Sequence, residues 1–213
     1  YTIFVADDEL LDSVRFAVDA INGVFIEPYD SSGDVFSLVE ILKNKDKAFE
    51  TDNEGYDQVA SALYAALLSA GLPTESITRV PHKLRVDYIE PGLDAWISGN
   101  AGDLKFTNPF KHKIAVFASV ERGMINVAIA GHMSDDAGDF KLETEIVQKV
   151  APPVYYVENN NLKPGEKRVL SAGKDGLVVN VLRNGEIIGT DTYEAEKAII
   201  QIGPDTDWKN ENK

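Results

Sequence analysis

The hydrophobic period of the chain changes once, around residues 71 to 76, and that change constrains the fold more than any other feature. Before it, apolar residues recur at helical spacing. Leu10, Val14, Ala17, Val18 and Ile21 do so in "DDELLDSVRFAVDAING", and Val59, Leu63, Ala66, Leu67 and Ala70 in "NEGYDQVASALYAALLSAG". Residues three and four apart share one face of a helix, so each stretch predicts a helix with a buried side. Acids open the first helix and Gly23 follows it, while Gly71 and Pro73 close the second. Between them, "VFIEPYDSSGDVFSLVEIL" predicts an extended piece, a Ser/Gly turn at 31 to 33 and a short apolar element; "KNKDKAFETDNEGY" predicts an exposed loop.

From Ser76 onward the period is two. "ITRVPHKLRVDYI" alternates through Leu84, Val86 and Tyr88, "LDAWIS" and "DLKFTN" predict short strands, and "KIAVFASVERGMINVAIAG" predicts a hairpin turning near Arg122-Gly123. Helices followed by an antiparallel sheet make an α+β fold. The run "HMSDDAGDF" at 132–140 reads as a linker and "FKLETEIVQKV" as a connecting strand. Residues 151–203 then predict a small all-β part, with turns at "KPGE", "SAGKDG" and "RNGE" spaced as in small β modules. The expected division is an α+β domain over 1–132, a connecting stretch over 133–150, a β domain over 151–205, and a frayed tail over 206–213.

Charge narrows the partners. The net charge is −14, and residues 1–57 hold fourteen acids against four bases, so −10 of it lies in that quarter. Nucleic acid is excluded as an expected partner, because neutralising phosphates needs clustered Lys and Arg. The chain has no cysteine, which removes disulfides, thiolate zinc sites and thiol catalysis together. No stretch approaches the roughly 20 apolar residues of a membrane span. The sequence opens at "YTIFVADDELL", which predicts a mature or trimmed chain whose targeting segment, if any, is gone.

Asp57 stands at the entrance of the second predicted helix. Read alone, it is an acid that stabilises a helix N-terminus by roughly 0.3 to 1 kcal/mol. His82, after Pro81, reads alone as a surface or hydrogen-bonded histidine, and Asp94 in "PGLDA" as a turn acid. The three lack the short spacing of a metal site, and no metal or cofactor is expected. His112 and His132 lie in or beside predicted turns without a motif. Tyr155, Tyr156 and Tyr193 read as packing residues that can also offer a stacking face to a sugar.

Two resemblances join these residues. "GDVFS" (33–37), "YDQVASALYAALLSAGL" (56–72), "RVPHKLRVDYIEPGLDAWIS" (79–98) and "DLKFTNPFKHKI" (103–114) resemble the VanW family in order and spacing, over about residues 8 to 132. The stretch from Pro152 to Gly203 resembles the five-glycine (G5) domain of cell-wall-associated bacterial proteins. Gly165, Gly173, Gly176, Gly185 and Gly203 stand at the pattern's glycines and are expected to fill positive-φ turns.

The first resemblance implies a cysteine nucleophile in a Cys-Gln-Val-Ser-Thr-Thr-Leu-Tyr-like motif, acting on peptidoglycan stem peptides. Here the motif reads "DQVASALY". Asp57 occupies the cysteine position, Gln58 and Val59 are kept, Ala60 and Ala62 replace hydroxyl residues, and Leu63 and Tyr64 are kept. His82 matches the family histidine, with Asp94 as its orienting acid. A carboxylate is a poor acyl acceptor, since its product would be a readily hydrolysed mixed anhydride. The resemblances therefore imply an exported, envelope-associated protein of a Gram-positive bacterium. In it a catalytically degenerate domain binds peptidoglycan or stem peptides, with Asp57, His82, Asp94, Gln58, Ser61, Tyr64 and Arg79 lining the former cleft. The β domain is implied to adhere to the wall or to an amino-sugar polymer. A hydrolase or transpeptidase using Asp57 with His82 is one alternative, and a module for assembly with other envelope proteins is another.

Overall fold

The computed structural model describes residues 1–47, 52–99, 101–132 and 140–204. They form two compact units. The first comprises Tyr1–His82, Val86–Glu145 and Val179–Asp191; the second comprises Lys83–Arg85, Ile146–Val178 and Thr192 onward. Residues 133–139 of the predicted linker at 132–140, and the tail beyond 204, lie outside the described residues.

In the first unit, strand β1 (Thr2–Phe4) leads into helix α1 (Leu11–Ile21) and strand β2 (Val24–Ile26). A short helix α2 (Tyr29–Ser32) then ends on Gly33 at φ 71°, which realises the predicted Ser/Gly turn. Strand β3 (Val35–Ser37) and helix α3 (Leu38–Lys45) follow, with Ser37 capping α3 through the Glu40 N–H. Helix α4 (Glu54–Ser69) is the centre of the unit: its residues Val59, Ala60, Ala62, Leu63, Ala65, Leu67 and Leu68 are all 0 % exposed. Such all-round burial marks a helix enclosed by other elements, not one lying on a surface. It is packed by α1 and by the sheet described next.

Strands β4 (Ile77–Thr78), β5 (Lys105–Thr107), β6 (Ile114–Glu121) and β7 (Met124–Gly131) complete two antiparallel sheets within this unit, ordered β1-β7-β6-β2 and β3-β5-β4. The β6/β7 hairpin pairs Ile114 with Gly131 through Glu121 with Met124. Its turn is where the sequence puts it, with Arg122 at φ 52° and Gly123 at φ 74°, as a two-residue loop matched to strand twist requires. Gly123→Ala should cost about 1 kcal/mol by forcing an L side chain into the left-handed region, even though open space surrounds the position. Urea unfolding measures it, and an unchanged midpoint would contradict the turn.

One expectation fails informatively. Beyond Thr78, residues 79–97 contain no strand, although their alternation predicts strands within 77–89 and 93–98. Leu93, Ala95 and Ile97 do alternate inward and are buried. The Leu93 N–H turns back to the Glu90 carbonyl at 3.1 Å, while those of Ala95 and Ile97 go to side chains of α4 instead of a neighbouring strand: Ala95 N–H to Ser61 Oγ at 2.8 Å and Ile97 N–H to Asp57 Oδ1 at 2.7 Å. Side-chain acceptors thus replace a ladder while keeping the period.

Strands β8 (Leu142–Val150), β9 (Val154–Glu158), β10 (Lys167–Ser171), β11 (Gly176–Arg183), β12 (Glu186–Tyr193) and β13 (Ala198–Ile202) account for the rest. The β11/β12 turn at Asn184-Gly185 repeats the two-residue geometry, at φ 53° and 84°. In the second unit β13 pairs parallel with β9 and antiparallel with β10. The five glycines divide into two kinds. Gly165, Gly173 and Gly185 have positive φ, as expected, whereas Gly176 and Gly203 do not. Those two are glycine for closeness: a Cβ on Gly176 would sit 2.8 Å from the Tyr193 carbonyl oxygen, and one on Gly203 would collide with the Lys163 carbonyl.

Candidate functional site

The site is assembled at the start of α4. Asn53 caps the helix through the Gly55 N–H at 2.9 Å. Gly55 permits the approach of α1, since a Cβ there would collide with Ser13 Oγ. One turn in, Asp57 is 7 % exposed. A carboxylate at that point is favoured by the helix dipole, but burial demands that both of its oxygens be satisfied. Oδ1 accepts the Ile97 N–H at 2.7 Å, and Oδ2 faces His82 Nε2 at 3.2 Å.

His82 is brought to Asp57 from 25 residues away. Asp94, fully buried, completes the row: its Oδ2 accepts the His82 backbone N–H at 2.7 Å and lies 2.8 Å from His82 Nδ1. With a carboxylate oxygen at each ring nitrogen, both nitrogens are best used as donors, which is the imidazolium form. Burial would lower the pKa of His82, but the hydrogen bonds and charges of Asp57 and Asp94 outweigh it and raise it to about 9. At neutral pH the ring therefore has no lone pair with which to take a proton.

The other predicted residues surround this row. Ser61, 0 % exposed, donates to the Asp57 carbonyl at 2.7 Å while accepting the Ala95 N–H. Gln58, also 0 % exposed, accepts the Ala6 N–H at 3.1 Å through Oε1, and its Nε2 is buried with no hydrogen-bond partner among the described residues. Arg79 donates to the carbonyls of Asp94 at 2.9 Å and Gly92 at 3.0 Å, pairs with the Asp191 carboxylate, and lies 4.4 Å over the Tyr64 ring. Its side chain is 10 % exposed. All seven predicted residues thus lie in one connected region, most of them buried.

Two members of the region had no motif to announce them. Tyr88, which reads as a strand residue, presents its ring at 82° to His82, with centroids 6.4 Å apart, and its hydroxyl lies 3.5 Å from Ser61 Oγ. Burial, together with the charges of Asp57, Asp94 and Glu54, keeps its phenol protonated well above the ordinary range. Asp191 is 112 residues from Arg79, beyond the reach of any local pattern. Among the described residues no group of three or more His, Asp or Glu side chains is arranged to hold a metal ion. Two surface depressions, of about 370 and 220 Å³, are lined by other residues than Asp57, His82 and Asp94.

Part of the chain is similar to a known family. Residues 46–130 match the family model described as VanW like protein, which takes in Asp57, His82 and Asp94 and leaves the 33–37 block outside. No curated protein matches the chain. Two solved structures are similar to a C-terminal part of it. "IgA1 Protease G5 domain structure" is 29% identical, with 30% of this chain and 86% of that chain covered at a TM-score of 0.23. "Crystal structure of HP0197-G5" is 20% identical, with 31% and 100% covered at 0.19. No helix among the described residues is long and apolar enough to cross a membrane.

Proposed function

We propose that this VanW-like domain is a catalytically degenerate binder of peptidoglycan or its stem peptides on the outside of the cell. In this reading the five-glycine part, identified by its sequence pattern, adds adhesion to the wall or to an amino-sugar polymer. The observation that carries the reading is the closed row Asp57–His82–Asp94. At the position of the family's cysteine stands a carboxylate whose two oxygens are already engaged, by the Ile97 N–H at 2.7 Å and by His82 at 3.2 Å. The residue in the place of the general base is an imidazolium held between two carboxylates. Nucleophile and base are each occupied by the other, so the row stabilises structure where a Cys-His-Asp triad would transfer a proton.

The experiment is sedimentation of the purified chain with whole sacculi, followed by mass spectrometry of the digested wall. The expected result is co-sedimentation with an unchanged muropeptide profile. New cross-links or trimmed stems that disappear in Asp57→Asn would replace this reading with an active enzyme. Failure to sediment would favour a protein partner in the envelope.

A further inference from the structure

The chain has three histidines, and one of them is consumed by the carboxylate row. The other two, His112 and His132, are twenty residues apart and exposed, yet the fold puts them together. His112 lies in the turn that enters β6, and His132 follows the last residue of β7. The hairpin register pairs Ile114 with Gly131, so the two histidines leave adjacent strand ends on the same edge of the sheet. Their ring centroids are 4.4 Å apart, with the planes 37° from each other. The turn is held from beneath by the fully buried Asn108, whose Nδ2 donates to the carbonyls of Ile26 at 3.0 Å and His112 at 2.9 Å and whose Oδ1 accepts the Phe110 N–H.

From this geometry we propose that His112 and His132 form a two-imidazole binding site for a borderline divalent cation, Cu(II), Ni(II) or Zn(II). Imidazole nitrogens are ligands for these ions and compete poorly for hard cations such as Mg(II) and Ca(II). Two imidazoles bound side by side to one ion, each with a metal–nitrogen bond of about 2.0–2.1 Å, hold their ring centres about 4.5–5 Å apart. The observed 4.4 Å is within a small side-chain adjustment of that separation. Because Asn108 holds the His112 backbone and the β6/β7 ladder ends one residue before His132, the second imidazole binds at high effective concentration once the first is engaged. Two lysines flank His112 in sequence, Lys111 and Lys113, and Lys113 has its ammonium over the Phe25 ring at 5.4 Å. Two protein ligands leave further coordination positions for water or for a donor from another molecule. The site is separate from the Asp57 row and does not depend on the proposed wall binding.

The test is calorimetric titration of Cu(II), and separately Zn(II), into the full chain, with excess Mg(II) present to occupy the surface carboxylates. One ion per chain is expected, with Cu(II) bound more tightly than Zn(II). His112→Ala and His132→Ala should each weaken binding by about tenfold or more, and the double variant should be little worse than either, since a chelate is lost with its first arm. Both side chains are exposed, so circular dichroism should be unchanged in all three variants. Two independent weak sites, each removed by one variant without effect on the other, would overturn the proposal. So would binding that survives the double variant, or no binding above that of Mg(II).

Discussion

His82→Ala should lower the unfolding free energy by about 3–5 kcal/mol, because it leaves two buried carboxylates facing one another with no cation between them. The loss exceeds that of a surface ion pair, since the His82 side chain is 16% exposed and its partners 10% and 0%. The same pair of contacts predicts a pH signature. The pKa of His82 is about 9 in the folded protein against an ordinary 6.5. A group raised on folding contributes fully below its unfolded pKa, and its contribution is lost as pH rises through the folded one. The wild-type chain should therefore lose about 2 kcal/mol of stability between pH 6.5 and 9 after allowance for solvent screening. His82→Ala should lack this step and keep only the pH dependence of other groups, such as the Tyr1 ammonium, whose pKa burial lowers from its ordinary 8.0. Urea unfolding at several pH values measures both. A wild-type profile parallel to the variant's would show that the imidazole is neutral, and would restore it as a candidate base.

Arg79→Met is the second substitution with a large expected cost, again about 3–5 kcal/mol, from stranding the Asp191 carboxylate and two backbone carbonyls. Arg79 serves three acceptors and a ring face at once, which needs the planar fork of a guanidinium. Arg79→Lys should therefore recover little of the loss. Asp191→Leu added to Arg79→Met should recover much of it, because removing both charges leaves no unpaired ion. A double-mutant cycle by urea unfolding reads the coupling directly. Additive single effects would mean that the pair contributes nothing beyond its packing.

These two cations do related work. Residues 79–82 and 86–97 carry no strand, so they have no ladder to hold them against α4. His82 and Arg79, with Ser61 and Asp57, take over the hydrogen bonds that a neighbouring strand would have made. This explains how far the region was legible. Alternation in Leu93, Ala95 and Ile97 marks burial correctly, but burial alone does not say whether backbone N–H groups find a strand or a helix side chain.

The candidate site was legible in a different way. Asp57, His82 and Asp94 are ordinary acids and an ordinary histidine when taken singly, and resemblance to a family motif is what grouped them. The structure brings the same three within hydrogen-bonding distance. Their charge state was outside the reach of the sequence, because it depends on an imidazole meeting two carboxylates at once. Tyr88 was missed because its alternation reads only as strand packing, and Asp191 and the contact between His112 and His132 for lack of any local pattern.

By itself the sequence determined what short-range physics controls: helix-period stretches before residue 71, the hairpin turns at Arg122-Gly123 and Asn184-Gly185, and helix ends at Gly23 and Gly71. Each depends on backbone preferences and burial patterns acting over a few residues. The tertiary structure alone decided where the polar groups of 79–97 are satisfied, that Gly176 and Gly203 are required by close backbone approach, and that a buried Asp57 is locked by a cation. Those outcomes depend on groups distant in the chain competing for the same few acceptors in a dry interior, where an unpaired charge costs several kcal/mol and the pairing that avoids it is set by the whole fold.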